Sequence, residues 1–278
     1  MKAARAKFNP DQLRFLVRVS VFIALAVVGR LVFPIFLDPL GNLLMVSALS
    51  TFMTAAVANL VVVRGWENGK AADCGMGWLA GSGRDLAYGL AGGAGGAALI
   101  VSVALALRMA AFDVVPGLER LWANIPFLLV VLLFGAVGEE LLFHGYGFQA
   151  LARNLGAFAT VLPVGVLFGW AHTGNPGVTG LAIFNTIGWG VLLGCAFLRT
   201  QALWLPIGLH FGWNAAMPFL GVNLSGFTMG MTGYRLRWSV GGLWSGGAYG
   251  LEGSLFTTLT VAALFVLLYR VVPGAPDR

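Results

Sequence analysis

Eight apolar runs fill most of the chain and restrict its fold more than any other feature of the sequence. They lie at about residues 16–37, 43–63, 87–112, 123–144, 158–172, 178–198, 203–221 and 254–272. Each run is long enough, or nearly so, to cross a ~30 Å hydrocarbon layer as an α-helix, which satisfies its own backbone polar groups. The sequence therefore predicts an all-α, polytopic transmembrane bundle of about eight spans.

The composition excludes a water-soluble domain. Of the 278 residues, 58% are hydrophobic and only 10% are charged, whereas a soluble domain usually carries about 25% charged residues. The net charge of +6 does not indicate a nucleic-acid partner, because the basic residues are dispersed and most lie at the ends of apolar runs. The expected surroundings of this chain are therefore a lipid bilayer, with no nucleic acid bound.

The domain organisation follows from the apolar runs. We expect a basic cytoplasmic N-terminus over residues 1–15, a single transmembrane bundle over 16–272 with a core at about 123–221, and a short tail over 273–278. No clear A-x-A cleavage site follows the first run, so it is interpreted as a retained span rather than a signal peptide. Short loops and the absence of long extensions favour a bacterial protein of the inner membrane.

The distribution of basic residues predicts the orientation. With eight spans and a cytoplasmic N-terminus, 12 of the 17 Lys and Arg residues fall on the inner side, and five, including Arg30, fall in the outer half or outer loops. This bias agrees with the positive-inside rule and places both termini in the cytoplasm. The long connection at 222–253, with Trp238 and Trp244, is then expected on the outer face, at the membrane interface.

Two adjacent carboxylates lie inside the fourth apolar run. Glu139 and Glu140 occur in V-L-L-F-G-A-V-G-E-E-L-L-F-H-G, whereas the other acidic residues lie in termini, loops or run ends. A charge in the bilayer interior costs at least ~2.5 kcal/mol on insertion scales. Two such groups need partners or a raised pKa, so they are candidates for a functional site.

All three histidines of the chain also lie in apolar runs or at their ends. His144 follows Glu140 by four residues on the same helix face, and His210 precedes Asn214 by four residues. His172 ends the fifth run. Each residue alone is more often a structural hydrogen-bonding group, but together on three helices they favour one buried site.

These side chains suit two kinds of chemistry. A carboxylate beside an imidazole can activate water as a general base, and a His and an Asn on one helix face can stabilise an oxyanion. Glu139, His172 and His210 could equally hold Zn²⁺ with water in an open position, although the H-E-x-x-H motif is absent. The residues by themselves leave both alternatives open.

Three short motifs resemble those of a known family. They are E-E-L-L-F-H-G-Y (Glu139 to Tyr146), F-G-W-A-H (Phe168 to His172) and H-F-G-W-N (His210 to Asn214). In order and separation they are similar to the motifs of the CPBP family, the CAAX-protease and bacteriocin-processing membrane proteins, also called Abi. The resemblance implies an intramembrane protease that cleaves a membrane-associated protein or peptide, such as a prenylated C-terminal tail or a bacteriocin precursor.

The resemblance also implies residue roles. Glu139 would be the base that activates water together with His172, and His210 and Asn214 would stabilise the oxyanion. Glu140 would be a supporting carboxylate, and Phe168 begins the second motif. Because Glu139, His172, His210 and Asn214 would then fill every catalytic role, a metal-free mechanism that requires no cofactor is preferred, with zinc as the alternative. The family pattern places an Arg four residues after the second Glu, where this chain has His144. An imidazole is expected to hold Glu140 more weakly than a guanidinium does, and in a pH-dependent way.

Two alternatives and one difficulty remain at the level of sequence. The protein could be an ion- or proton-coupled transporter, although no inverted repeat is visible, or a non-catalytic scaffold or immunity protein on the same fold. Depth counting places Glu139 in the inner half of its helix and far from His172. The fifth helix must therefore begin deeper, tilt or break, and Pro163 is a candidate for the break.

Overall fold

The computed structural model describes residues 10–115 and 121–274. Most of the predicted N-terminal segment and of the predicted tail lies outside these residues, so the domain bounds stay predictions. Each of the eight apolar runs contains an α-helix, which confirms the all-α fold class. The helices are α1 (Pro10–Leu37), α2 (Leu43–Glu67), α3 (Ser82–Ala106), α4 (Ile125–Phe143), α5 (Tyr146–Leu155), α6 (Ala157–Ala171), α7 (Gly180–Thr200), α8 (Trp204–Phe219), α9 (Gly242–Ser245) and α10 (Leu255–Arg270).

The described helices are long and apolar enough for a membrane protein. By length and composition, five helical segments of the described chain can cross a membrane, and α4 with α5 counts as one of them, Ile125–Leu155. Helices α6 and α10 are also apolar but have only 15 and 16 residues. The polytopic membrane bundle is confirmed, whereas the orientation of the termini stays a prediction.

Local capping groups define where two of the spans begin. The Asn42 side chain accepts a hydrogen bond from the Met45 backbone N–H at 3.0 Å, at the start of α2. The Thr179 hydroxyl accepts one from the Ala182 N–H at 3.1 Å, at the start of α7. Each cap satisfies a backbone donor that has no partner within the first turn of a helix. These helix ends are therefore encoded by neighbouring residues.

Glycine faces bring the helices around α8 into backbone contact. A Cβ on Gly93 of α3 would lie 2.1 Å from the Leu209 carbonyl oxygen, and a Cβ on Gly208 would lie 2.5 Å from that of Leu86. A Cβ on Gly165 of α6 would lie 2.5 Å from a side chain of α7. This is the close approach that small-residue spacings favour in membrane helices, and it joins α3 to α8 and α6 to α7.

Glu139 lies near the middle of the bundle. Helix α2 runs parallel to α4, so positions along α2 measure the depth of residues on α4. A Cβ on Gly138 would lie 2.7 Å from the Phe52 backbone. Further along both helices, the Asn59 side chain donates a hydrogen bond to the Leu141 carbonyl at 2.9 Å. Phe52 is ~22 Å before the end of α2. Glu139 therefore lies beside the middle of α2, although it is in the second half of its own helix α4, as depth counting predicted.

The depth of His172 is set by an extra helix. The chain does not return directly after α4 but continues through α5, and Gly156, with φ of 88° and ψ of 161°, makes the turn into α6. From Ala157, α6 then rises ~22 Å to His172 at its end, which matches the depth of Glu139. Pro163 lies inside a continuous α6, so it does not supply the break.

A two-stranded sheet replaces the end of the third predicted span. Strand β1 (Ala110–Val114) pairs antiparallel with β2 (Tyr234–Trp238). Helix α3 already ends at Ala106, and Arg108 has a positive φ of 56°, so the predicted helical run to residue 112 is wrong over its last part. The sheet ties the segment between α8 and α10 to the end of α3.

The connection at 222–253, hereafter the capping segment, packs against the helices rather than forming a loose loop. Its residues Met231, Tyr249 and Leu251 are fully buried. The Gly226 backbone N–H donates to the Tyr249 carbonyl at 2.8 Å, which joins the two ends of the segment. The capping segment therefore covers one end of the bundle with fixed side chains.

The α3–α8 contact generates a stability prediction. We expect Gly93→Ala to lower the free energy of unfolding by about 1–3 kcal/mol, because the added methyl meets backbone atoms of Leu209 and Trp213. The measurement is the Tm of the purified protein in detergent. The control is Gly95→Ala on the same helix, where a Cβ meets nothing within 4 Å. Equal Tm values for the two variants would contradict the backbone contact.

Candidate active site

The centre of the site is a carboxylate oxygen between two imidazoles. Glu139 Oε2 lies 3.9 Å from His172 Nε2 and 3.8 Å from His210 Nε2. The three side chains come from α4, the end of α6 and α8. Within the described chain, Glu139 Oε2 is buried and has no hydrogen-bond partner. The structure therefore brings the predicted base and both predicted histidines into one place.

His172 is oriented by its own helix. Its Nδ1 donates a hydrogen bond to the Phe168 carbonyl at 2.8 Å, so Nε2 faces Glu139. The Phe168 ring packs 4.9 Å from the His172 ring and 6.0 Å from the His210 ring. A Cβ on Gly190 of α7 would lie 2.8 Å from Phe168 Cβ, so α7 holds this ring in place. Phe168 thus separates and supports the two histidines.

Glu140 is the structural partner in the pair of carboxylates. It is fully buried, with Oε1 2.7 Å from His210 Nδ1 and Oε2 2.8 Å from His144 Nδ1. His144 is itself fully buried, and its Nε2 lies 3.2 Å from the Gly190 carbonyl. The expectation that His144 takes the place of an Arg as partner of Glu140 agrees with this geometry. The contact between Glu140 and His210 is not visible in the sequence.

One cavity contains all the predicted catalytic side chains. It has a volume of about 230 Å³, and Glu139, His172, His210 and Asn214 line it. Asn214 follows His210 by one turn of α8, as predicted, so both face the same space. Residues of α2, α4, α6, α7 and the capping segment complete the wall, and Arg30 reaches it from α1.

Glu252 is a cavity residue that the sequence analysis missed. It lies in the capping segment, is only 9% exposed, and lines the same cavity. Its Oε2 accepts hydrogen bonds from the Ser225 backbone N–H at 2.5 Å and from the Ser225 hydroxyl at 2.9 Å. The sequence analysis grouped Glu252 with the acidic residues at span ends. The missed indication is that Glu252 is the only acidic residue between 222 and 253.

The spacing of the side chains bears on the zinc alternative. Ligand atoms ~2.1 Å from a tetrahedral zinc lie ~3.4 Å from one another, whereas Glu139 Oε2 is 3.9 and 3.8 Å from the two histidine nitrogens. Within residues 10–115 and 121–274, no group of three His, Cys, Asp or Glu side chains could hold a metal ion. The three atoms are spread slightly wider than in a bound zinc site, and the choice between the zinc and the metal-free alternatives stays a prediction.

Comparison with known proteins supports the family resemblance that the three motifs indicate. Residues 121–216 match the family model for the Rce1-like group, described as type II CAAX prenyl endopeptidase Rce1-like. This segment is therefore similar to the CAAX protease family. The match includes Glu139, His172, His210 and Asn214 and covers about a third of the chain. No curated protein and no solved structure matches the chain.

The CAAX protease segment does not build the whole cavity. It supplies α4 to α7 and most of α8. Helices α1 and α2 and the capping segment lie outside the match, yet Arg30, Thr51 and Glu252 line the cavity. A part of the cavity wall therefore comes from outside the matched segment.

The buried Glu140 network generates the second prediction. We expect His144→Ala to lower the free energy of unfolding by about 3–5 kcal/mol, because it leaves one oxygen of a fully buried carboxylate without its partner. Denaturant unfolding in detergent measures the change. His144→Asn is the control, since its amide N–H can replace Nδ1, and it should lose less stability. Equal losses for both variants would contradict a hydrogen-bonding role of His144.

Glu252 generates a pH prediction. Burial raises the pKa of Glu252 above its ordinary value, although the Ser225 hydrogen bonds and the nearby His172 act in the opposite direction. Between the ordinary and the raised pKa the folded protein binds more protons than the unfolded chain, so stability falls as pH rises through this window. We expect Glu252→Gln to remove the loss of stability that Glu252 causes between these two pKa values. At pH values above the raised pKa, the variant should therefore have a higher Tm than the wild type.

The measurement is the Tm across a pH series. Asp38→Asn, which changes an exposed carboxylate just after α1, is the control and should keep the wild-type profile. A Glu252→Gln profile parallel to that of the wild type would show that Glu252 does not titrate in this window.

Proposed function

We propose that the protein is an intramembrane endopeptidase that hydrolyses a peptide bond of a membrane-associated protein or peptide, with Glu139 as the general base. One observation carries the proposal: the buried Oε2 of Glu139 has no partner within the described chain and faces two imidazole nitrogens at 3.9 and 3.8 Å. These distances exceed a direct hydrogen bond and suit a bridging water molecule. That water would be the nucleophile.

In this mechanism Glu139 takes a proton from the water while the water oxygen attacks the peptide carbonyl carbon. His172 Nε2 accepts the second hydrogen of the water and thereby orients it, because Nδ1 carries the ring proton that is donated to Phe168. The carbonyl oxygen becomes an oxyanion. The proton on Glu139 then passes to the amide nitrogen as the C–N bond breaks.

In the proposed mechanism, His210 and Asn214 stabilise the oxyanion. Both line the cavity from one face of α8, and two fixed donors stabilise a developing negative charge in a site that excludes bulk water. Donation from His210 Nε2 requires protons on both ring nitrogens. The Glu140 carboxylate, 2.7 Å from Nδ1, compensates the positive charge of that form, and His144 holds Glu140 in turn.

The family match suggests the substrate class. CAAX proteases act on membrane-associated proteins, and a C-a-a-X tail carries a lipid on its cysteine. We propose a short C-terminal tail of a lipid-anchored protein as the substrate, with a bacteriocin or other peptide precursor as the alternative. We further propose that the protein resides in a bacterial inner membrane with both termini in the cytoplasm.

The mechanism predicts that Glu139→Gln lowers kcat by roughly 10²–10⁴, the usual contribution of a general base. The assay follows cleavage of a lipid-modified C-a-a-X peptide by the full-length protein in lipid nanodiscs. The control is Asp113→Asn, which changes a carboxylate on the surface of β1 that is paired with Arg237. This variant should leave kcat unchanged. Activity should also survive dialysis against a chelator.

The outcomes separate the competing functions. Unchanged cleavage by Glu139→Gln would contradict the proposed base. Loss of activity with chelator and recovery with zinc would overturn the metal-free mechanism. A folded protein that cleaves no membrane-tethered peptide, including a precursor library, would favour the scaffold hypothesis, and proton-coupled flux into vesicles would favour the transporter.

A further inference from the structure

Arg30 is a cation within a membrane helix that neither the family motifs nor the mechanism uses. It lies on α1 about 10 Å before the end of that helix, and its side chain lines the catalytic cavity. An arginine inside an apolar span costs at least ~2.5 kcal/mol on insertion scales, so such a residue is a candidate for function. The sequence analysis interpreted Arg30 only as an outer-half charge that contributes to topology.

The contacts of α1, α2 and α4 place Arg30 at the depth of the catalytic base. The Arg30 guanidinium donates to the Thr51 hydroxyl on α2. A Cβ on Gly138 of α4 would lie 3.1 Å from the Thr51 backbone carbon, and Glu139 is the next residue. The neighbouring Gly29 packs equally closely on α2, since its Cβ would lie 2.8 Å from the Thr54 side chain. The level of Arg30 is therefore that of Glu139.

Most of the hydrogen-bonding capacity of Arg30 is unused. A guanidinium carries five N–H donors, and the hydrogen bond that Arg30 makes within the described chain goes to Thr51. The Thr51 hydroxyl in turn donates to the Ser47 carbonyl at 2.9 Å, which fixes it as an acceptor for Arg30. The ion pairs in the described chain involve other basic groups. Arg30 is an exposed residue of α1, and within the described chain it is held at the cavity wall without a carboxylate partner.

We propose that Arg30 binds the C-terminal carboxylate of the substrate tail and so selects peptides that are cut close to a free C-terminus. The proposal rests on the proposed endopeptidase function and adds a specificity-determining residue to it. A guanidinium binds a carboxylate through two parallel hydrogen bonds. Glu139 and Glu252 also line the cavity, but neither forms an ion pair with Arg30 within the described chain, so Arg30 is available to a carboxylate of the substrate.

The size of a C-a-a-X tail sets the reach that this assignment requires between Glu139 and Arg30, which line the same cavity. Three residues after the lipid-modified cysteine span at most ~10 Å when extended. A scissile bond at Glu139 and a carboxylate at Arg30 would then belong to one short peptide within the cavity. A phospholipid phosphate is the other anion that can reach a guanidinium on this helix, and the experiment below distinguishes the two.

The test compares two peptides that differ only at the C-terminus. One lipid-modified C-a-a-X peptide ends in a free carboxylate and the other in a carboxamide, and full-length wild type, Arg30→Gln and Arg30→Lys are assayed in nanodiscs. Arg64→Gln, an exposed arginine of α2 that does not line the cavity, is the matched control. For wild type and control we expect kcat/KM to be roughly 10–100-fold higher for the free acid, mainly through KM.

Arg30→Gln should reduce the acid-to-amide ratio to about one while it cleaves the amide at nearly the wild-type rate, and Arg30→Lys should keep part of the preference. A ratio that survives in Arg30→Gln would overturn the proposal. So would an equal loss on both peptides, which indicates a structural role. The assay is repeated in nanodiscs of neutral and of anionic lipid to test binding of a phospholipid phosphate. If kcat/KM depends on anionic lipid in the wild type but not in Arg30→Gln, and the acid-to-amide ratio is the same in both, Arg30 binds a phospholipid and the proposal is overturned.

A binding measurement makes the test independent of catalysis. The Glu139→Gln protein is titrated with a short apolar tripeptide as free acid and as amide. Binding is followed by the intrinsic tryptophan fluorescence of the protein, to which the cavity residues Trp189 and Trp213 contribute. We expect the acid to bind at least 10-fold more tightly, and the difference to vanish in Glu139→Gln/Arg30→Gln. If neither peptide is cleaved but this difference is present, the endopeptidase proposal fails and the carboxylate site stands. Equal binding of acid and amide would overturn the site.

Discussion

The need to solvate two adjacent carboxylates in an apolar bundle controls the arrangement of the core. Glu140 is fully buried on α4, and each of its oxygens is bound by an imidazole, one from α4 itself and one from α8. Such contacts require α8 to lie very close to α4. Glycines on α3 and α8 let the backbones touch, because a membrane bundle gains its stability from close packing rather than from the exclusion of water.

The two neighbouring carboxylates have opposite environments. Successive residues on a helix point ~100° apart, so Glu140 faces the packed interior while Glu139 faces the cavity. Glu140 has its hydrogen bonds filled, whereas Glu139 Oε2 is left without a partner in the described chain. Environments that diverge in this way commonly separate a supporting group from a reacting group. The same helix thereby supplies both the scaffold of the site and its proposed base.

The other walls of the catalytic cavity come from outside the family match. The CAAX protease segment provides the base, the two histidines and Asn214, while α1, α2 and the capping segment add Arg30, Thr51, Ser225 and Glu252 to the cavity. The capping segment is held by buried aromatic and aliphatic residues and by the sheet that joins it to the end of α3. Part of the cavity wall, including the residue that we propose for substrate selection, therefore comes from beyond the family match.

The sequence by itself determined the membrane environment, the all-α class and the family, because apolar length and three short motifs are local properties of the chain. It also identified Glu139, His172, His210 and Asn214 as residues of one site. The depth of Glu139, the Glu140–His210 contact, the β1–β2 pair, and the places of Arg30 and Glu252 were decided only by the tertiary structure. Spacing along a helix defines which residues share a face, but lateral neighbours are set by how helices pack and where the chain turns. The unpredicted helix α5 carries the chain further before α6 begins, and it is this detour that brings His172 level with Glu139.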